Sequence, residues 1–319
     1  MKVVEYQQYG SAQQLVVGER DRPKPKASQV VVRVAYSSVN PIDWKLRQGT
    51  MRFLMPLSFP VIPGLDIAGE VVEVGSQVKK FAAGDWVYAQ LDSWSGGASA
   101  EYAAVGEKAL AAIPDGLPPR EAAALPLAAL TALQGLRDCG GLKPKDRVLI
   151  VGASGGVGHY AVQIAKAFGA HVTAVCSGAN EAMARELGAD EVIDYKKTPS
   201  IDTGAPYNVV LDLIVSSPFA RFKEVLATDG TYVAALPTPG ILARSLLMPL
   251  YSKQRVRFVT VKPRGDDLRE LSRLHKEDKL RTVVDSVYPL EKLKEAHLRS
   301  ETGRAKGKIV VEVCAECAP

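Results

Sequence analysis

VLIVGASGGVGHYAVQIAKAFG, residues 148–169, moves from an apolar run through three spaced glycines into an amphipathic run. The glycines are Gly152, Gly155 and Gly158, and the run after them carries Val162, Ala165 and Phe168. Glycine reaches the φ values that a tight turn needs, and its bare backbone lets a pyrophosphate approach a helix N-terminus. A glycine-rich turn alone is a weak signal. With a buried strand before it and a helix after it, the stretch predicts the first βα unit of a dinucleotide-binding domain.

Towards the C-terminus the alternation continues. A strand at HVTAV is followed by a helix at EAMARELG, strands at EVIDY and NVVLDLI, a helix at FARFKEVL, and strands at TYVAAL and RFVTV. This is the pattern of a Rossmann doubly wound parallel sheet, assigned to 123–262. Towards the N-terminus the texture differs. VVVRVAYSSV, AGEVVEVG, DWVYAQL and AEYAAVG are short β-type runs separated by Gly, Pro, Asp and Ser, which predicts a compact β-barrel or sandwich over 1–122. After 262 come two helical runs and a last strand, KIVVEV, with no slot in the α/β order. The segment 263–319 is therefore expected to return to the first domain. At 319 residues, two domains are the natural division.

Composition narrows the class. The chain is 47% hydrophobic and 24% charged with a net charge of +5, ordinary for a soluble globular protein. Its basic residues are scattered, with mild clusters around Lys143 and Lys253, which argues against nucleic acid as a partner. Cys139, Cys176, Cys314 and Cys317 form no disulfide framework and point to a reduced setting. No cleavable leader is visible, and the most apolar late stretch, ILARSLLMPLY, is too short to span a bilayer. The cytoplasm is the expected location, with import into a chloroplast without a cleaved peptide as the alternative. Peripheral membrane contact through the basic patches stays open.

The cradle for the coenzyme comprises Gly152, Ser154, Gly155, Gly156, Val157 and Gly158. A site for NAD usually ends its second strand in Asp or Glu, which accepts from the ribose 2′-hydroxyl. Here HVTAV runs into Cys176-Ser177-Gly178-Ala179-Asn180, with no acid to repel a 2′-phosphate. Ser177 and Asn180 can donate to such a phosphate, and Tyr195 with Lys196 can approach from the next strand. NADPH is the expected coenzyme.

ASGGVGHYAVQIAK (153–166), AALPLAALTALQGL (123–136) and GEVVEVGSQVKKFAAGDWV (69–87) together resemble the medium-chain dehydrogenase/reductase superfamily in its quinone oxidoreductase branch. NPIDWK (40–45), GADEVIDYKKTP (188–199) and GKIVVEV (307–313) are similar to the plant chloroplast-envelope quinone oxidoreductase homologues and NADPH-dependent alkenal/enone reductases. The resemblance implies a chaperonin-10-like barrel as catalytic domain, a Rossmann coenzyme domain, an active site in the cleft between them, and a homodimer. It also implies that Thr131 lies under the nicotinamide ring.

Zinc-dependent members of the superfamily carry a catalytic Cys at the NPIDWK loop and Gly-His-Glu at Gly64-Leu65-Asp66. Here Leu65 stands in the histidine's place and no cysteine precedes Cys139. Three N, S or O donors are needed for a catalytic zinc, and Asp66 alone cannot hold one, so no metal is expected. Asp66 reads instead as a structural partner of backbone amides or a nearby base, since a buried carboxylate needs such partners.

Without a Lewis acid, hydride delivery to an activated acceptor is the easier reaction: an α,β-unsaturated carbonyl such as an enone or 2-alkenal, or a quinone. The candidate catalytic residues are Asn40, as an amide donor to a carbonyl or ribose, Asp43, orienting Lys45 or the ribose, and Lys45, stabilising enolate charge. Asn40 and Asp43 also suit a turn start and a helix cap. Relatives with a substrate-facing tyrosine after this loop differ from the present Gly49-Thr50-Met51-Arg52-Phe53, which leaves the proton donor unassigned. Met51, Phe53, Leu54 and Met55 suggest an apolar acceptor pocket or ordinary packing. Two other readings stand beside this one: a strict one-electron quinone reductase, and a nucleotide-binding protein with little catalysis.

Overall fold

The computed structural model of the chain describes residues 1–53, 55–93, 95–198 and 200–314. Leu54 and Cys317, both named above, lie outside the described residues. The chain divides into two compact units. The first holds residues 1–128, 263–277 and 282–319, and the second 129–262 and 278–281.

The first unit opens with β1 (Lys2–Glu5) and β2 (Val16–Glu19), which pair antiparallel. Next come β3 (Gln29–Val39), the short helix α1 (Pro41–Arg47), β4 (Asp66–Val74), β5 (Trp86–Gln90), β6 (Tyr102–Gly106) and β7 (Leu110–Ala112). The helix α2 (Pro119–Ala122) follows, and then α3 (Pro126–Gln134) begins.

In the second unit β8 (Arg147–Val151), α4 (Gly158–Ala167), β9 (His171–Cys176), α5 (Glu181–Glu186) and β10 (Glu191–Asp194) alternate. They are followed by β11 (Tyr207–Asp212), α6 (Phe219–Lys223), β12 (Leu226–Ala234), α7 (Pro239–Leu247) and β13 (Arg255–Phe258). The chain then returns to the first unit with α8 (Gly265–Lys276), β14 (Val284–Pro289), α9 (Leu293–Glu301) and β15 (Lys308–Glu312).

β3 organises the first unit's sheet, ordered β14-β15-β3-β4-β5-β7. One of its edges pairs with β4. The other is shared: residues 29–33 pair with β6, and residues 36–39 pair with β15. The valine-rich sequence suits this place, because β-branched side chains pack well on a pleated surface. Val30, Val32 and Val34, two residues apart, share a core with Ile67, Val71 and Val87. A second core joins Val39, Ile309 and Val311 to Leu290, Leu293 and Ala296 around α9.

The second unit's six strands are all parallel, ordered β10-β9-β8-β11-β12-β13. Counted as they occur in the chain, that is three-two-one-four-five-six, the Rossmann order anticipated above. α4 packs on β8 and β9, α5 on β9 and β10, and α7 on β13. The inner strands β8 and β11 are buried along almost their whole length, as strands covered on both faces must be. Between these two the order reverses, which places a ligand crevice at their carboxyl ends. Among the described residues no helix is long and apolar enough to cross a membrane. Cys139 and Cys176 are free thiols, whereas Cys314 is disulfide-bonded, a bond that the expectation of a reduced setting did not include.

Candidate active site

The first cluster forms where β3, α1, β4 and β15 meet within the first unit. Asn40 is the N-cap of α1, and Pro41 supplies the ready-made φ of the first helical position. Asp43, in the first turn, accepts a 2.7 Å hydrogen bond from the Asn40 backbone N–H. Asp66, at the start of β4, is wholly buried. Its Oδ2 accepts from Ser38 Oγ at 2.7 Å and from Asn40 Nδ2 at 2.8 Å, while Oδ1 accepts from the Leu127 N–H at 2.8 Å. That last bond satisfies one of the orphan donors in the first turn of α3. The compensating charge is Lys308, buried on β15, with Nζ 3.6 Å from Asp66 Oδ2. Lys308 also donates to Asn40 Oδ1 at 2.6 Å.

Burial lowers the Lys308 pKa, against the opposing pull of Asp66 and Asp43. Burial raises the Asp43 carboxyl to about 7, with its bond from Asn40 and the Lys308 charge acting the other way and Asp66 adding to the rise. Each shift has the sign expected for a charged form deprived of water.

Lys45 sits two residues further along α1. Burial lowers its pKa, and its ammonium lies 5.5 Å from the centre of the Trp44 ring. Among the described residues Lys45 Nζ has no hydrogen-bond or ion-pair partner, and Trp44 Nε1 is buried with no acceptor.

Two residues of this loop have partners inside the protein. The Asn40 amide, read as a donor to substrate or ribose, is bound on both its atoms inside the protein. Asp43, read as orienting Lys45 or the ribose, accepts from the Asn40 N–H and closes the first turn of the helix that carries Lys45. The anticipated apolar pocket also resolves differently. Met55 lines a cavity of about 580 Å³ with Pro56, Leu57, Val61 and Ile62, but Phe53 is 89% exposed, with Arg52 over its ring. Lys308 and Ser38 were missed. The signal was a lysine inside the apolar strand KIVVEV, which has to find a buried anion.

The second cluster lies at the carboxyl ends of β8, β9 and β10 in the second unit. The glycine loop joins β8 to α4. Gly152, at φ 86°, is in the left-handed region that favours glycine, and its N–H and that of Ala153 both donate to Val175 O. A Cβ on Gly158 would stand 2.1 Å from Gly152 O, so only glycine lets the helix start this close to the turn. Gly155, Gly156 and Val157 span the part-buried crest of the loop.

Ser154 accepts from Asn180 Nδ2 at 2.9 Å, and Asn180 Oδ1 is buried without a partner. Ser177 caps the single turn that leads to Asn180. Tyr195, 56% exposed, follows β10 and donates its backbone N–H to Cys176 O, which sets it beside the end of β9. The structure thus gathers Ser154, Ser177, Asn180 and Tyr195 at one sheet edge. Thr131 is buried on α3. One neighbour was not anticipated: Asp194 Oδ2 would stand 2.5 Å from a Cβ on Gly178, so an acid from β10 does reach the end of β9. The cradle and the orphaned Asn180 Oδ1 fit a dinucleotide: the loop would hold a pyrophosphate, and the Ser177–Asn180 turn would meet a ribose.

Residues 26–115 match the family described as alcohol dehydrogenase GroES-like domain, and residues 187–311 match the zinc-binding dehydrogenase family. The chain is 41% identical to the chloroplast envelope quinone oxidoreductase homolog of Arabidopsis thaliana, the match covering 98% of each chain. It is 36% identical to the 2-methylene-furan-3-one reductase of Solanum lycopersicum, over 98% of this chain and 79% of the relative. Among solved structures, the quinone oxidoreductase from Coxiella burnetii superposes with a TM-score of 0.89 at 30% identity, covering 98% of this chain and 99% of that one.

The zinc of the second family's description does not fit the residues present. Asp66 is already filled by three hydrogen bonds and a lysine ammonium, its neighbour Leu65 is buried and apolar, and a cation there would have to expel Lys308. Among the described residues no group of three or more His, Cys, Asp or Glu is placed to hold a metal. With its fold, its glycine cradle and these relatives in agreement, the chain belongs to the medium-chain dehydrogenase/reductase superfamily, in its quinone oxidoreductase branch, and is an oxidoreductase that uses a nicotinamide coenzyme.

Proposed function

We propose that the enzyme is an NADPH-dependent reductase that delivers hydride to the double bond of α,β-unsaturated carbonyls, with quinones as a second acceptor class. The observation that carries this reading is Lys45: a half-buried ammonium, its pKa lowered by burial, with no anion of its own among the described residues. Such a group is an electrostatic partner in waiting. When bound, the coenzyme supplies the hydride. As the substrate's β-carbon accepts it, charge moves to the carbonyl oxygen, where a pre-placed ammonium in a partly dry site stabilises it without reorganisation. Asn40 and Asp43 serve as positioning residues, fixing the first turn of α1 and so the direction of Lys45. The open cavity lined by Met55, Leu57, Val61 and Ile62 together with Ser58 and Ser95 is large enough for a small enone. The relative named for furanone reduction supports the same acceptor class.

Preference for NADPH rests on β9 ending in Cys176 and Ser177 rather than in an acid of its own, and on the hydroxyls of Ser177 and Tyr195 as donors. Asp194 favours a second reading, NADH, because it can accept from a ribose hydroxyl.

Steady-state oxidation of NADPH and NADH against 2-alkenals, cyclic enones and quinones tests both readings. NADPH should give the higher kcat/KM, and equal values would sink that preference. Lys45→Ala should lower kcat/KM for enones by ~10–100-fold while leaving coenzyme affinity alone. An unchanged value removes Lys45 from the site.

A further inference from the structure

Val215 is β-branched and yet sits at φ 54°, in the left-handed region. Such a residue is a genuine outlier, and backbone strain of this kind persists only where the surroundings over-determine it. Here they do. Asp212, buried at the carboxyl end of β11, accepts the Ile214 N–H at 3.0 Å and the Val215 N–H at 2.9 Å, both on Oδ1. Its Oδ2 accepts from Tyr232 Oη at 2.8 Å, from the neighbouring strand β12. Burial and the adjacent carboxylate both push the Tyr232 phenol up, so it stays a donor. The Val215 side chain packs against the core beside Phe219 and Tyr232.

The turn so held lies at the order reversal between β8 and β11. Its outermost side chain, Ile214, is 56% exposed, and its Cδ1 would stand 2.8 Å from a Cβ on Gly152. Ile214 therefore lies directly over the first glycine of the phosphate cradle, with its outer face accessible to a ligand.

We infer that Asp212 and Tyr232 are positioning residues for coenzyme binding. They clamp residues 213–215 into a strained turn that holds Ile214 over Gly152 as one wall of the dinucleotide crevice. The inference rests on the nicotinamide-coenzyme reading of the cradle. It requires that the clamp act through Ile214, not through general stability.

A double-mutant cycle read by coenzyme titration separates these. Ile214→Ala should leave Tm unchanged, since the side chain is largely exposed, and should raise the Kd for NADPH by ~5–10-fold. Tyr232→Phe should raise Kd to a similar extent in the wild-type background and add nothing in the Ile214→Ala background. Unchanged Kd in Ile214→Ala, or an additive effect of the two substitutions, overturns the proposal. A wild-type chain that binds neither NADPH nor NADH overturns the coenzyme reading itself, and the proposal with it.

Discussion

The ammonium of Lys308 and the carboxylate of Asp66 form a buried ion pair at 3.6 Å, and Asn40 is bonded to both. Breaking one side of such a pair strands a charge in a dry interior, which typically costs ~3–5 kcal/mol. Lys308→Met keeps most of the length of the side chain and removes the charge. Its unfolding free energy in denaturant should fall by about that amount, whereas Asp66→Asn with Lys308→Met should recover part of the loss. A single variant as stable as the wild type would show that the pair is not ionised.

Asp43 sets a pH dependence of definite sign. Its folded pKa, about 7, lies above the ~3.9 of an unfolded aspartate. The folded state therefore binds the proton more tightly. The stability this provides is fully present below about pH 4 and is lost as pH rises towards 7. Asp43→Asn retains the acceptor for the Asn40 N–H and cannot ionise. Across pH 4–7 the wild type should lose denaturant resistance relative to Asp43→Asn, a divergence read from midpoints at each pH. Parallel curves would exclude the shift.

The cradle glycines make different demands. Gly158 is closed in by backbone, so Gly158→Ala should lower Tm and coenzyme affinity together. A Cβ on Gly155 finds nothing nearer than Gly152 O at 3.4 Å, so Gly155→Ala should keep its Tm. If a pyrophosphate crosses the loop there, that variant's Kd for NADPH should still rise by ~10-fold or more. Wild-type affinity in Gly155→Ala would move the pyrophosphate elsewhere.

Much of the second unit is legible in the sequence, because its signals are local. Each βα unit announces itself within about thirty residues, and the glycine loop marks where the order begins. The first unit is less so. Short strands can be recognised one by one, but that β3 shares one edge between β6 and β15 depends on pairings between distant residues. The site divides in the same way. Gly152, Ser154 and Gly158 are read from a single stretch, whereas Lys308 and Asn40 are 268 residues apart. Asp194 escaped because it comes from the strand beside the one where an acid is usually sought. Asp212 and Val215 escaped because nothing in NVVLDLIVSS marks a left-handed valine.

The divided edge of β3 also bears on how the protein is made. β15 leaves the ribosome after the whole of the second unit. Until it arrives, residues 36–39 of β3 offer unpaired backbone groups and Asp66 has no cation. The unit that is synthesised first is thus the one completed last. Any chain cut short of Lys308 is left with both an adhesive edge and a stranded charge, which marks incomplete copies for aggregation or degradation.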